Sequence, residues 1–257
     1  MLCAAAEWAV PQLYDVVYMV CRKSSIILRF NATTHERLTD IYVNGLRDPH
    51  DIVTCEQTSQ LYVTGSGPIW RVSADGDHIR LFWRRSSTDG FTPDSLSVTS
   101  PRLLVTSYGT KQLMQLDSLG DELRRVQLPD NMEPYHAVES PTGTFIVSHE
   151  NTQLDQYQIS EVITDGEVLR QFTGSRLSPL GWPQHVAIDS HGSVFVADHS
   201  NHRVLLLDAQ LRLRRVIIDE HQLKYKLPYR LCFREQTGQL LVGLFENKVA
   251  VFDVLCR

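Results

Sequence analysis

The chain lacks the features that several common chemistries require. Its five cysteines, Cys3, Cys21, Cys55, Cys232 and Cys256, include no close pair. Their spacing therefore gives neither a zinc framework nor a disulfide scaffold, and free buried thiols in a reducing, cytoplasmic setting are expected. Basic residues are outnumbered, 25 Lys and Arg against 30 Asp and Glu, for a formal net charge of −5. That balance offers no general attraction for a polyanion. No apolar run approaches the length of a membrane span, and the first residues, MLCAAAEWAVPQL, carry Glu7 and Pro11 without a basic start. Neither a membrane segment nor a signal peptide is expected. Asn31-Ala32-Thr33 has the form of a glycosylation acceptor, which has meaning only in a secreted chain. Gly-x-Ser-x-Gly, a phosphate-cradling glycine loop and His-Glu-x-x-His are all absent, and with them the commonest hydrolase, nucleotide and metalloprotease templates. Asp75-Gly76-Asp77 is too short for a calcium loop. Helical periodicity is nowhere sustained.

What is present is a repeat. Apolar triplets centred on or opening at Tyr18, Tyr62, Leu104, Phe145, Phe195 and Leu241 are spaced by 44, 42, 41, 50 and 46 residues. This is the period of a four-stranded propeller blade, about 40–45 residues. A polar residue closes the following apolar run: Asn31, Asp75, Asp117, Asp208 and Asp253 lie 13, 13, 13, 13 and 12 residues beyond their triplets. The fourth copy carries its equivalent, Asp165-Gly166, late, which accounts for the one long spacing.

Each copy reads as four short strands separated by turn residues, as in HDIVTC, QLYVTG, PIWRVSA and HIRLFW of the second and QHVAID, SVFVAD, RVLLLD and LRRVII of the fifth. Such a sheet cannot bury both faces alone, and a ring of sheets leaves only short edges. The expected fold is all-β: one domain over 1–257, a six-bladed β-propeller of four-stranded antiparallel blades, approximately 1–45, 46–90, 91–130, 131–178, 179–224 and 225–257. The last blade has no room for a fourth strand. It has three strands, or Met1 to Val10 completes it, or the protein is longer.

The fifth copy, WPQHVAIDSHGSVFVADHSNHRVLLLD, resembles the NHL-repeat family, named for Asn-His-Leu, where this chain has Asn201-His202-Arg203. DPHDIVTCEQTSQLYV in the second copy and LPYRLCFREQTGQLLVGLFENKVAVFD in the sixth are looser matches. The resemblance implies a propeller like that of tripartite-motif proteins, here without a RING or B-box cysteine array. Within the motif, Asp198 can accept N–H bonds from the turn after its strand, and Asn201 tolerates a left-handed conformation, so the signature is expected to build a turn.

In an antiparallel meander the start of the innermost strand and the turn between the second and third strands share one end of the blade. Prolines before the innermost strand align Pro49-His50-Asp51, Pro93-Asp94-Ser95, Pro134-Tyr135-His136, Pro183-Gln184-His185 and Pro228-Tyr229-Arg230. The expected binding residues on that face and at the channel mouth are His50, Asp51, Ser95, His136, His149, His185, His199, His202, Arg203 and Arg230. Six of the ten histidines fall there, which would suit a pH-sensitive binding face or a metal site. The reading is a monomeric, non-enzymatic recognition module for a protein or peptide, with no cofactor. Two alternatives stand beside it. Some propellers of the resembled family bind single-stranded RNA on a basic face, whereas the pairs Arg84-Arg85, Arg124-Arg125 and Arg214-Arg215 fall at or near outermost strands, where charge protects an edge. Peptide-amidating lyases resemble six-bladed propellers holding zinc with histidines directly after such prolines. His50, His136 and His185 are the candidates, although only His50 directly follows its proline.

Overall fold

A computed structural model describes residues 12–13, 15–85, 90–99, 101–224, 226–244 and 248–254. The described chain is all β apart from two short 3-10 turns, and it forms six blades. The first holds β1 (Gln12–Leu13), β2 (Val16–Val20), β3 (Ile26–Asn31) and β4 (Ile41–Tyr42), and the second β5 (Asp51–Cys55), β6 (Gln60–Thr64), β7 (Ile69–Ser73) and β8 (Ile79–Trp83). The third holds β9 (Ser95–Thr99), β10 (Arg102–Ser107), β11 (Gln112–Leu116) and β12 (Glu122–Gln127); the fourth β13 (Met132–Glu139), β14 (Phe145–Asn151), β15 (Gln156–Val162) and β16 (Val168–Phe172). A small hairpin, β17 (Gly174–Ser175) and β18 (Ser178–Pro179), leads to the fifth: β19 (Pro183–Ile188), β20 (Val194–Asp198), β21 (Arg203–Leu207) and β22 (Leu213–Ile218). The sixth shows three strands, β23 (Pro228–Arg234), β24 (Gln239–Leu244) and β25 (Lys248–Asp253). Whether Met1 to Val10 completes it lies outside the described residues.

Every blade is an antiparallel meander in chain order, and β5, β9, β13, β19 and β23 contact one another in succession around the centre. The driving force sits between blades. One apolar cluster fills each junction: Tyr18, Ile27, Ile52 and Leu61 between the first and second blades, Tyr62, Phe91 and Leu103 between the second and third, and so on to Met19, Cys21 and Leu241, which join the sixth to the first. Each cluster combines opposing faces of two sheets that neither could bury alone.

The recurring polar residue after the third strand caps the next turn. Asn31 accepts the Thr33 and Thr34 N–H groups at 2.8 and 2.7 Å, Asp117 those of Leu119, Gly120 and Asp121, and Asp208 those of Gln210 and Arg212. Asp165 takes the Glu167 N–H at 3.1 Å. Its late position reflects β14 and β15, each 7 residues long where β20 and β21 have 5. Arg124-Arg125 and Arg214-Arg215 lie in the outermost strands β12 and β22. Cys21, Cys55 and Cys232 form no disulfide; Cys3 and Cys256 lie outside the described residues.

Candidate functional site

Pro183 and Pro228 open their strands and Pro134 is the third residue of β13; each is followed by a bulge. Pro134 pairs with His149 and His136 with Ser148, so Tyr135 is left over; Gln184 and Tyr229 are skipped in the same way. A bulge inserts one residue and re-aims the next side chain. Across five blades the second residue after the proline, namely Asp51, Ser95, His136, His185 and Arg230, is buried, between 1% and 7% exposed, with the bulge present in the last three. Four of these, Asp51, His136, His185 and Arg230, line the central cavity.

These side chains tie neighbouring blades together and, through Arg230, join the sixth blade to the second. The Leu96 N–H donates to Asp51 at 2.9 Å, the Ser95 hydroxyl to the Tyr135 carbonyl at 3.0 Å, and the Val186 and Leu231 N–H groups to Nδ1 of His136 and His185 at 3.5 and 3.4 Å. His136 Nε2 lies 3.0 Å from the Leu96 carbonyl and is placed to donate to it. Arg230 donates to the His50 carbonyl at 3.3 Å, and its Nε is 3.4 Å from Asp51. The two imidazoles stack with centroids 3.6 Å apart. Burial pulls both well below the ordinary histidine range, His136 to about 3, so they stack as neutral rings. Burial also pushes the Asp51 carboxyl up, opposed by Arg230 and the two N–H groups it accepts.

The cavity, about 730 Å³, runs from this cluster past Val53, Ser97, Val138, Ala187 and Cys232 to Glu56, Gln57, Glu235 and Gln236. The last four belong to turns between first and second strands, at the far end of the blades. None of His50, Asp94, Tyr135, Gln184 or Tyr229 lines it. The cavity therefore extends from this polar cluster toward the opposite end of the blades, and the residues that directly follow the prolines do not line it.

The remaining expected site residues separate. His50 contributes its carbonyl to Arg230, while Asp51 takes its place beside His136 and His185, the three offering ligand atoms within 4.8 Å of one another. His149 is within β14 instead of a turn, 1% exposed, with Nε2 2.8 Å from the Ser160 hydroxyl in a second cavity beside Met132 and Gln158. Burial pulls it down to about 4.

At the turn after β20 the left-handed residue is His202, at φ 50°, where Asn201 had been expected. Lys111 and Asp155 hold the same place before β11 and β15. Asp198, fully buried, accepts no backbone N–H from this turn. It takes the Gly181 N–H at 2.8 Å, Asn201 Nδ2 at 2.9 Å and Arg203 Nε at 2.6 Å. Arg203 also reaches Ser178 and the Pro179 carbonyl. A Cβ at Gly181 would lie 2.9 Å from Asn201 Nδ2, so the glycine permits this approach. The expectation that the motif builds a turn agrees with these bonds, although its anchor is the segment before β19.

Proline-adjacent and turn residues form a surface that the sequence pattern did not single out. Tyr108 stacks on Tyr135 with centroids 6.2 Å apart; Tyr135 touches Tyr157 at 6.4 Å and Trp182 at 6.0 Å; Trp182 meets His199 at 5.3 Å, and His199 meets Tyr229 at 5.9 Å. The belt crosses the third to the sixth blades. Tyr108 donates to Glu133 at 2.6 Å and Tyr135 to Glu150 at 2.9 Å. The bond to Glu133 pushes the Tyr108 phenol up to about 12, and burial with Glu150 pushes Tyr135 up further, so both remain donors. The signal in sequence was Tyr in two of five Pro-x-x triplets, with Trp182 just before a third.

A family description matches residues 180–205, the segment organised by Asp198. The fifth blade is an NHL repeat. No curated protein matches the chain by sequence. Solved structures resemble the whole NHL-bearing propeller in fold. Hydrazine synthase of Kuenenia stuttgartiensis is 14% identical with a TM-score of 0.72, covering 97% of this chain and 84% of that one. A catalytically inactive virginiamycin B lyase from Staphylococcus aureus with quinupristin is 15% identical with a TM-score of 0.70, covering 97% and 81%. A chain of a nidogen–laminin complex is 17% identical with a TM-score of 0.64, covering 86% and 82%. Enzymes and binding proteins thus share this fold.

Proposed function

We propose that the protein is a non-enzymatic recognition module that binds a protein or peptide segment through the face bearing the innermost-strand starts and the turns between second and third strands. The observation that carries this reading is the aromatic belt. Tyr108 and Trp182 are 44% and 38% exposed, and rigid aromatic side chains gathered at one surface supply contact area at low entropic cost. Among the described residues no helix is long and apolar enough to cross a membrane, and a cytoplasmic setting agrees with the undisulfided thiols.

Zinc chemistry in the channel draws less support from the donor set. A catalytic zinc takes three protein ligands at about 2.0–2.1 Å with an open fourth position. Both His136 nitrogens already face backbone groups, and Arg230 brings a positive charge beside Asp51. RNA is the second reading with an observation behind it, since bases stack on aromatic platforms. Glu133 and Glu150 within the belt would repel phosphates, and Arg124-Arg125 and Arg214-Arg215 lie in the outermost strands β12 and β22.

The test is affinity capture with wild-type protein, a Tyr135→Ala/Trp182→Ala variant and a Glu56→Lys/Glu235→Lys variant altered at the cavity's far end. Partners lost only from the aromatic variant support the reading. Partners lost only from the cavity variant, or capture dominated by RNA, overturn it.

A further inference from the structure

We propose that the segment taken by the aromatic face is cationic: a peptide whose arginine or lysine head packs on the Tyr135–Trp182 surface and pairs with Glu150. The inference rests on the peptide-binding reading and adds the chemistry of the peptide. The ring faces of the belt and the carboxylates of Glu133 and Glu150 beside it attract a donor or a positive charge. Ring faces carry negative quadrupole density and attract cations. Glu150 is held by the Tyr135 hydroxyl at 2.9 Å, and a carboxylate with one hydroxyl bond keeps most of its acceptor sites open. Glu133 has Lys111 3.9 Å away; among the described residues no basic side chain is paired with Glu150.

A second, independent feature is His199, 8% exposed, set against Trp182 and Tyr229, with its Nδ1 buried and without a hydrogen-bond partner. Burial pulls its basicity down, so the neutral ring places no positive charge in the belt that would repel an arriving cation. Within the chain a guanidinium already packs on one of these rings from the inner side: that of the buried Arg230 lies 4.9 Å from the Tyr229 centroid. An anionic strand would meet Glu150 and Glu133 instead.

The test uses the whole chain, immobilised, and acetylated, amidated hexapeptide mixtures that each fix one amino acid at a central position and randomise the others. Mixtures fixing Arg or Lys should be retained about fivefold more than those fixing Glu or Leu. Glu150→Gln and Trp182→Ala should each bring that preference to within about twofold, with thermal unfolding unchanged. Retention led by apolar or acidic mixtures, or an Arg/Lys preference that survives both substitutions, overturns the cationic partner while leaving a peptide-binding face. If no mixture is retained above a blank support, or a uridine oligonucleotide binds in place of every peptide, the peptide-binding reading falls with it.

Discussion

Adjacent positions after the same prolines have opposite fates. The second residue after the proline, as in His136, His185 and Arg230, is buried and engages the backbone of another blade; the first, in Tyr135 and Tyr229 though not in the buried Gln184, belongs to a surface whose rings meet one another and whose acceptors remain open. One bulged residue separates the two sets. A histidine-rich channel therefore does not itself mark a ligand site here, because innermost strands of different blades share no continuous backbone ladder and their free groups need side-chain partners. Groups already satisfied from within hold the ring together. Groups left open are the ones available to a partner.

The sharpest way to break this contrast is at Asp198. Asp198→Ala removes the buried carboxylate that gathers the Gly181 N–H, Asn201 and Arg203, leaving Asn201 and Arg203 only their bonds to Ser178 and Pro179, and should cost about 3 kcal/mol in urea unfolding while peptide retention is kept. Loss of retention without loss of stability would move the NHL signature from structure to recognition.

His136→Ala comes next. It leaves the Val186 N–H and Leu96 carbonyl buried and unpaired and should cost about 3 kcal/mol by the same measurement. An unchanged midpoint would show that the channel ring does not hold the blades.

Acid sharpens the contrast further. Histidines depressed in the folded state leave stability intact above their unfolded value of 6.5 and erode it as pH falls, down to about 3 for His136 and about 4 for His149. Each should contribute a slope of about 1.4 kcal/mol per pH unit within its window. Asp51, whose carboxyl burial pushes up, works in the opposite sense: protonation relieves its burial as pH falls. Unfolding free energies between pH 6.5 and 5 should therefore decline, less steeply in His149→Gln, and an identical slope in that variant would contradict its burial as a neutral ring.

The smallest stability effect belongs to the belt. Tyr108→Ala should move stability by about 0.5 kcal/mol or less, since surface substitutions rarely do more, while weakening peptide retention. A larger loss would place the belt with the structural ring.

The fold was legible where its causes are local. The period from Tyr18 to Leu241, the strands of the second and fifth blades and the caps at Asn31, Asp117 and Asp208 arise from pattern and turn chemistry within a single blade. The site was legible only in part. Spacing brought Asp51, Ser95, His136, His185 and Arg230 to the strand starts, but it grouped His50 with two histidines one position out of phase. It also put His149 in a turn, although β14 continues through it. Strand length and a bulge decided both, and neither is written in a single residue type.

By itself, then, the sequence determined a propeller: a repeated apolar pattern whose copies cannot bury their faces alone must stack, and the turn residues punctuate it. Tertiary structure alone decided which side chains line the channel, which polar groups find partners and which aromatics meet. His136 bonds to residues 40 and 50 positions away, and Arg230 reaches 180 positions back to His50. Contacts of that range exist only once the blades have stacked, because they depend on the angle and register between sheets.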